Sequence, residues 1–236
     1  SKEPGKTWRL TWDIIYSAAC IIVTLSLGLM LGNIAMGLPL NEQKEFTGST
    51  WSFFNPFSIM VAFTTLALFM MHGAIYLAMK TENRLSTKLT LLARNFTVFF
   101  LLSFAITTVY TLLYIPHLSD KLKSSPTYFI FPVIMFLAIA NIPRQLNKGN
   151  YRFAFISSAV TIAALLITVA IEVYPNLLYA SNNPANSITI TNASSSLKTM
   201  KTLLLIAAIG TPLVGIYTSF VFWTFKGKVI LDEMSY

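Results

Sequence analysis

Residues 55–84 read NPFSIMVAFTTLALFMMHGAIYLAMKTENR, with no formal charge between Pro56 and Met79. About 20 apolar residues carry a helix across the hydrocarbon core of a bilayer. The stretch therefore predicts a membrane span over about 55–79. Pro56 falls in the first turn, where its missing N–H costs little. Lys80 and Arg84 meet water at the other end, which suits both a helix C-terminus and a cytoplasmic interface. One pair breaks the apolar run, His72-Gly73, with Tyr76 one turn later on nearly the same face.

Outward from this span, long uncharged runs recur along all 236 residues. The chain is 55% hydrophobic, 14% aromatic and only 11% charged. That composition excludes a soluble domain and predicts an all-α polytopic membrane protein, one transmembrane helical domain over 1–236. The net charge of +8 is no nucleic-acid footprint, because the Lys and Arg residues sit in short loops between apolar runs, where they act as topology signals. The single cysteine, Cys20, excludes an internal disulfide and any multi-cysteine metal site; inside an apolar run it is expected to be a small core residue.

Six spans follow, at about 11–34, 55–79, 96–114, 128–142, 153–174 and 200–225. The first carries Asp13 near its start and Gly28 and Gly32 one turn apart, a spacing that lets another helix approach closely. Asn33 is placed to satisfy freed backbone groups where the chain turns out towards Pro39. The connection from Lys80 to Asn95 is the most basic in the chain, and Pro143-Arg144 is expected to close the short fourth span. In the long loop from Pro175 to Lys201, Ser187 to Thr191 alternates like a strand fragment, and the Ser194–Ser196 cluster can cap the last span. Trp223 and Phe225 form an interfacial anchor before Lys226 and Lys228.

Sorting the 17 basic residues by side gives twelve with the two chain ends and five on the other side, Lys44, Lys121, Lys123, Lys198 and Lys201. Lys2, Lys6 and Arg9 are among the twelve. By the positive-inside rule both ends are cytoplasmic and the Ser/Asn-rich loop faces out.

No catalytic constellation emerges, so no residue is assigned a catalytic or metal-ligating role, and cofactor-binding residues are left unassigned. His72 and His117 lie on different elements and cannot build a zinc cluster with one cysteine. A single His can hold haem iron, but a lone intramembrane His beside Gly more often bonds a neighbouring helix, and that is the reading adopted for His72. Glu172 is an ionisable group within an apolar run and hence a functional suspect; one turn from Pro175, it is expected to reach interfacial water. Asn192-Ala193-Ser194 fits a glycosylation sequon as many chance triplets do.

Taken in order, several motifs carry a resemblance. They are Gly28-Leu-Met-Leu-Gly32-Asn33-Ile-Ala-Met-Gly37-Leu-Pro39, Asn55-Pro56-Phe57, and His72-Gly73-Ala74-x-Tyr76-Leu77-x-x-Lys80-Thr81. Phe155-Ile-Ser157-Ser158, Tyr174-Pro175-Asn176 and the run from Ser187 to Ser195 follow. Together they resemble subunit II of the cytochrome bd ubiquinol oxidases over nearly the whole chain, most weakly at Leu118 to Phe131. Trp8-Arg9-x-x-Trp12-Asp13 is similar to the loop before that family's fourth helix.

The resemblance implies a subunit of a bacterial terminal oxidase that takes electrons from quinol and reduces dioxygen to water. Haem b and haem d are expected in the partner, subunit I. This chain is expected to be haem-free and to pack against and stabilise that partner, in membrane lipid and in contact with the quinol pool through the complex. In some members subunit II holds a structural quinone. The implied location is the bacterial inner membrane. The six spans correspond to the last six of nine helices, so small residues such as Gly28 and Gly32, or an apolar groove, are expected to face nothing within the chain. The chain also begins without Met and reads as the continuation of something longer. The competing classes are a secondary transporter, whose usual sign of paired broken spans in two repeats is not seen here, and another structural membrane subunit.

Overall fold

In lipid every backbone N–H and C=O must be satisfied within its own segment, so apolar runs of this length fold as helices. A computed structural model describes residues 5–225 and Gly227. Lys2, Lys226 and Lys228 lie outside the described residues. Among the described residues, six helices are long and apolar enough to cross a membrane. They are α1 (Lys6–Met36), α2 (Pro56–Lys80), α3 (Asn83–Tyr114), α5 (Ile130–Asn147, preceded by a 3-10 turn from Pro126), α6 (Tyr151–Val173) and α7 (Leu197–Thr224). A short helix α4 (Asp120–Ser124) lies between α3 and α5, and strands β1 (Asn176–Leu178) and β2 (Ile188–Thr189) pair antiparallel between α6 and α7.

Local chemistry sets several of these ends. Asn55 caps α2 by accepting from Ser58 N–H at 2.9 Å, with Pro56 at the first helical position as the sequence predicts. Ser196 caps α7, accepting from Thr199 N–H at 3.4 Å.

Two boundaries differ from the expectation. The basic connection after Lys80 is mostly helix, since only Thr81 and Glu82 separate α2 from α3. Lys88 and Arg94 are good helix formers, and both are exposed on α3. Pro143 does not close the fourth span, because α5 runs through it to Asn147. A proline one turn from a helix end removes a single N–H there, a loss that membrane helices tolerate.

Helix α2 is the centre of the packing and contacts α1, α3 and α6, while α5 packs on α6. The main core joins Met71 and Ile75 of α2 to Ala93 and Phe100 of α3, Ile142 of α5 and Ala154 of α6. The α1–α2 contact rests on Gly28 and Gly32. A Cβ added at Gly28 would stand 2.4 Å from Ala62 Cα, and one at Gly32 would stand 2.6 Å from Ser58 Cα. These glycines face a neighbour inside the chain, contrary to the expectation that they face nothing. The small-residue seam is spent on α2. Cys20 is also corrected: it is exposed rather than a core residue, since an apolar run in a membrane helix includes lipid-facing positions. Helix α7 has no buried residues. Lys80 ties its far end by donating to the carbonyls of Phe225 (3.4 Å) and Gly227 (3.3 Å).

The opposite end of the bundle is capped by three loops. Leu38 N–H donates to Tyr179 O at 2.9 Å, and Ser181 N–H donates to Leu38 O at 3.0 Å. The Asn182 side chain accepts from Leu40 N–H and donates to Leu40 O, both at 3.0 Å, so one amide serves as a strand partner. Gly37, at φ +93°, permits the approach of Tyr179, whose ring and carbonyl would lie 2.8 Å from an added Cβ. His117 stacks on Tyr179 with ring centres 4.5 Å apart and donates from Nε2 to Ala35 O at 3.1 Å. Asn33 at this end behaves as expected. It donates to Phe53 O at 2.8 Å and accepts from Asn55 at 3.0 Å.

Candidate functional site

Two polar regions interrupt the apolar interior. The first lies towards the Lys80 end. His72 of α2 meets Ser158 of α6, with Nδ1 and Oγ 2.7 Å apart. The Ser158 hydroxyl already donates to Phe155 O at 2.8 Å, so it accepts from the imidazole and the ring carries its proton on Nδ1. The ring stacks on Phe155 at 4.6 Å, and Tyr76 packs on the same Phe155 at 5.7 Å. The hydrogen bond to a neighbouring helix is the one expected for His72.

Beside it runs a chain of amides that sequence reading missed. Asn150 donates to Gln145 (3.2 Å), Gln145 to Asn141 (3.0 Å), and Asn141 to the Ser157 hydroxyl (2.9 Å). Asn141 and Gln145 stand four apart on one face of α5, a signal visible only if the helix continues past Pro143. Amides pass no proton readily from one to the next, so the arrangement locks the α5–α6 hairpin.

The second region is a cleft of about 270 Å³ between α2, α3, α5 and α6, reached by Leu31 and Ala35 of α1. Phe57, Leu68, Met135 and Val169 give it an apolar wall. Five of its six threonines (Thr64, Thr65, Thr107, Thr111 and Thr168) bond carbonyls one turn earlier in their own helices. Thr64 and Thr107 also touch across the cleft, 2.9 Å apart.

Glu172 stands at the capped end of this cleft. It is buried, and its carboxylate accepts from Lys121 N–H at 3.1 Å and Leu122 N–H at 2.9 Å. The expectation that it reaches interfacial water is therefore wrong. A buried carboxylate needs donors, and these come from a turn fifty residues earlier in the chain. The Lys121 ammonium donates to Ile171 O at 2.5 Å and lies over the Tyr174 ring at 5.1 Å. Burial holds its pKa below the ordinary lysine value, and the nearby Glu172 opposes that shift.

Among the described residues no group of three or more His, Cys, Asp or Glu side chains could hold a metal ion. The two histidines are apart, His72 in the bundle and His117 in the cap. The Asn192 amide is engaged within the loop, donating to Ser187 O at 2.9 Å and accepting from Thr189 N–H at 2.8 Å.

Residues 1–225 match the family described as cytochrome bd terminal oxidase subunit II. A probable cytochrome oxidase subunit 2 of Haemophilus influenzae is 26% identical over 96% of this chain and 67% of its own length. Cytochrome bd-I ubiquinol oxidase subunit 2 of Escherichia coli K12 is 21% identical over 99% of this chain and 70% of its own. The bd oxidase structure from Geobacillus thermodenitrificans matches the fold with a TM-score of 0.72, at 20% identity, over 94% of this chain and 66% of that one. This chain thus spans about two thirds of the length of the proteins it matches. Six membrane-spanning helices in that fold, and a family match running through all of them, make this integral inner-membrane protein a member of the cytochrome bd terminal oxidase subunit II family.

Proposed function

We propose that this chain acts as the haem-free subunit II of a bacterial cytochrome bd-type terminal quinol oxidase. It packs against and stabilises the subunit I that bears haem b and haem d, oxidises quinol and reduces dioxygen to water. The family match over residues 1–225 carries this reading.

The haem-free part follows from the family reading, in which subunit I carries the haems. His72 has Nδ1 on Ser158 and a ring face against Phe155, and His117 gives Nε2 to Ala35, so each already has a structural role. A structural quinone fits the cleft only in part. Its walls suit an isoprenoid tail, but five of the threonine hydroxyls are already engaged with their own helices or with each other. A quinone carbonyl needs a donor, and Glu172 is an acceptor. No step is assigned to a quinone here.

The twelve-to-five distribution of Lys and Arg supports cytoplasmic chain ends and a periplasmic cap.

An affinity tag on this chain tests the assignment. A polypeptide carrying reduced-minus-oxidised bands of haems b and d should co-elute, while the chain expressed alone should show no haem absorbance. Elution without a haem-bearing partner would overturn the reading. Orientation is read with a membrane-impermeant maleimide after Cys20→Ser. A cysteine at exposed Ala185 should label in intact spheroplasts, and labelling only after lysis would reverse the topology.

A further inference from the structure

The seam between α1 and α2 covers only the first half of α2. Ser58, Ala62 and Thr65 meet the glycines of α1, and the same face of α2 runs on, at intervals of four and three, to Phe69, His72 and Tyr76. Helix α1 does not follow it, since every residue from Thr7 to Val23 is exposed. Phe69 is exposed too, and a Cβ added at Gly73 meets nothing within 4 Å. The two helices thus open into a wedge towards the Lys80 end.

Two polar atoms stand in this wedge without a hydrogen-bond partner among the described residues. His72 Nδ1 is spent on Ser158, which leaves Nε2 as a bare acceptor. The Tyr76 hydroxyl, one turn on, has none either, although its ring packs on Phe155. Among the described residues only Ser58 Oγ is both enclosed and unpaired, so the His72 and Tyr76 atoms open to the surface of the bundle. His72 lies eight residues before Lys80, about 12 Å along the helix. That depth sets Nε2 in hydrocarbon, out of reach of phospholipid headgroups.

We propose that the wedge seats one transmembrane helix of a partner polypeptide, which approaches closely at Gly73 and gives a hydroxyl, amide or indole hydrogen to His72 Nε2. Acyl tails have no donor, and a polar atom left unpaired in hydrocarbon is costly, so the bare acceptor selects a helix over lipid. Gly73 then does for the partner what Gly28 and Gly32 do inside the chain. The inference rests on these side chains and stands apart from the oxidase reading, which the haem content of the eluted complex tests separately.

Photocrosslinking in the purified complex tests the wedge. Benzoylphenylalanine in place of exposed Leu77, one turn beyond Gly73, should crosslink to a membrane-spanning peptide of a co-purifying polypeptide, identified by mass spectrometry. Gly73→Leu, which fills the wedge, should abolish that crosslink. Tyr76→Phe removes only a hydroxyl and should lower retention of the polypeptide under detergent challenge about threefold or more, the size expected for one interhelical hydrogen bond. In both variants the amides around Ser158 on α6 should keep their hydrogen-exchange protection, which tells lost docking from lost folding. A crosslink to lipid alone, a crosslink to a second copy of this chain, or a partner crosslink unaltered by Gly73→Leu would overturn the proposal.

Discussion

Helices α2 and α7 are almost equally apolar, and both are long enough to span a bilayer. Nearly half of the most apolar stretch of α2 is buried inside the chain, and none of that of α7 is. Hydropathy therefore says that a helix enters the membrane but not what it faces there, since lipid tails are as apolar as leucine. The difference lies in the small and polar residues. Helix α2 offers Ser58, Ala62 and Thr65 to the glycines of α1, Thr64 to α3 and His72 to α6. Helix α7 has its own glycines, Gly210 and Gly215, but an added Cβ at either meets nothing within 4 Å.

The sharpest test of this contrast is a matched pair of glycine substitutions. Gly28→Leu drives a side chain into the backbone of Ala62 and should destabilise the protein by about 3 kcal/mol or more, judged from overpacking in cores. Gly215→Leu should leave the thermal midpoint of the chain unchanged. Equal losses in fluorescence-monitored thermal unfolding would erase the distinction between the two helices. Next in size is Asn33→Leu, which strands the Phe53 carbonyl and the Asn55 amide. A cost of about 1–3 kcal/mol is expected, read from the same unfolding curves.

His72 probes the α2–α6 contact. Interhelical hydrogen bonds in membranes are worth about 0.6–2 kcal/mol, so His72→Leu should lower stability by that amount. His72→Gln should recover most of it and leave the haem content of the complex unchanged; loss of one haem per complex in that variant would mean that the ring has a second role. The smallest effect is expected where Lys80 of α2 holds the end of α7. Lys80→Met removes a cation from the C-terminal carbonyls of α7, worth about 0.3–1 kcal/mol at an exposed site. It should speed protease cleavage near Phe225 without shifting the thermal midpoint, and a large shift would make α7 an integral part of the packed unit.

All six spans were legible because charge is so sparse within them, and Asn33, Pro56 and Ser196 announced their local jobs through residue type and position. Errors arose where a rule for water was carried into lipid. Pro143 reads as a stop and Cys20 as core, yet membrane helices run through proline, and an apolar face can look outwards. The burial of Glu172 was missed for another reason. Its partners are backbone N–H groups, which leave no trace in residue identity, on a turn fifty residues away. The amide chain was hidden only by the misplaced end of α5.

The seam between α1 and α2 is built on a repeat. Gly28 lies against Ala62 and Gly32 against Ser58, so the antiparallel helices meet small residues at intervals of four on both sides. A groove of that kind is nearly indifferent to sliding, because a shift of one turn, about 5.4 Å, would again set small against small. The Asn33 clasp onto Phe53 and Asn55 lacks this repeat and has a single matching position. Close approach and register are thereby separate properties of the pair, carried by different residues. A variant without the clasp should still form the helix pair but populate more than one alignment, visible as a mixture of cysteine cross-links along the seam.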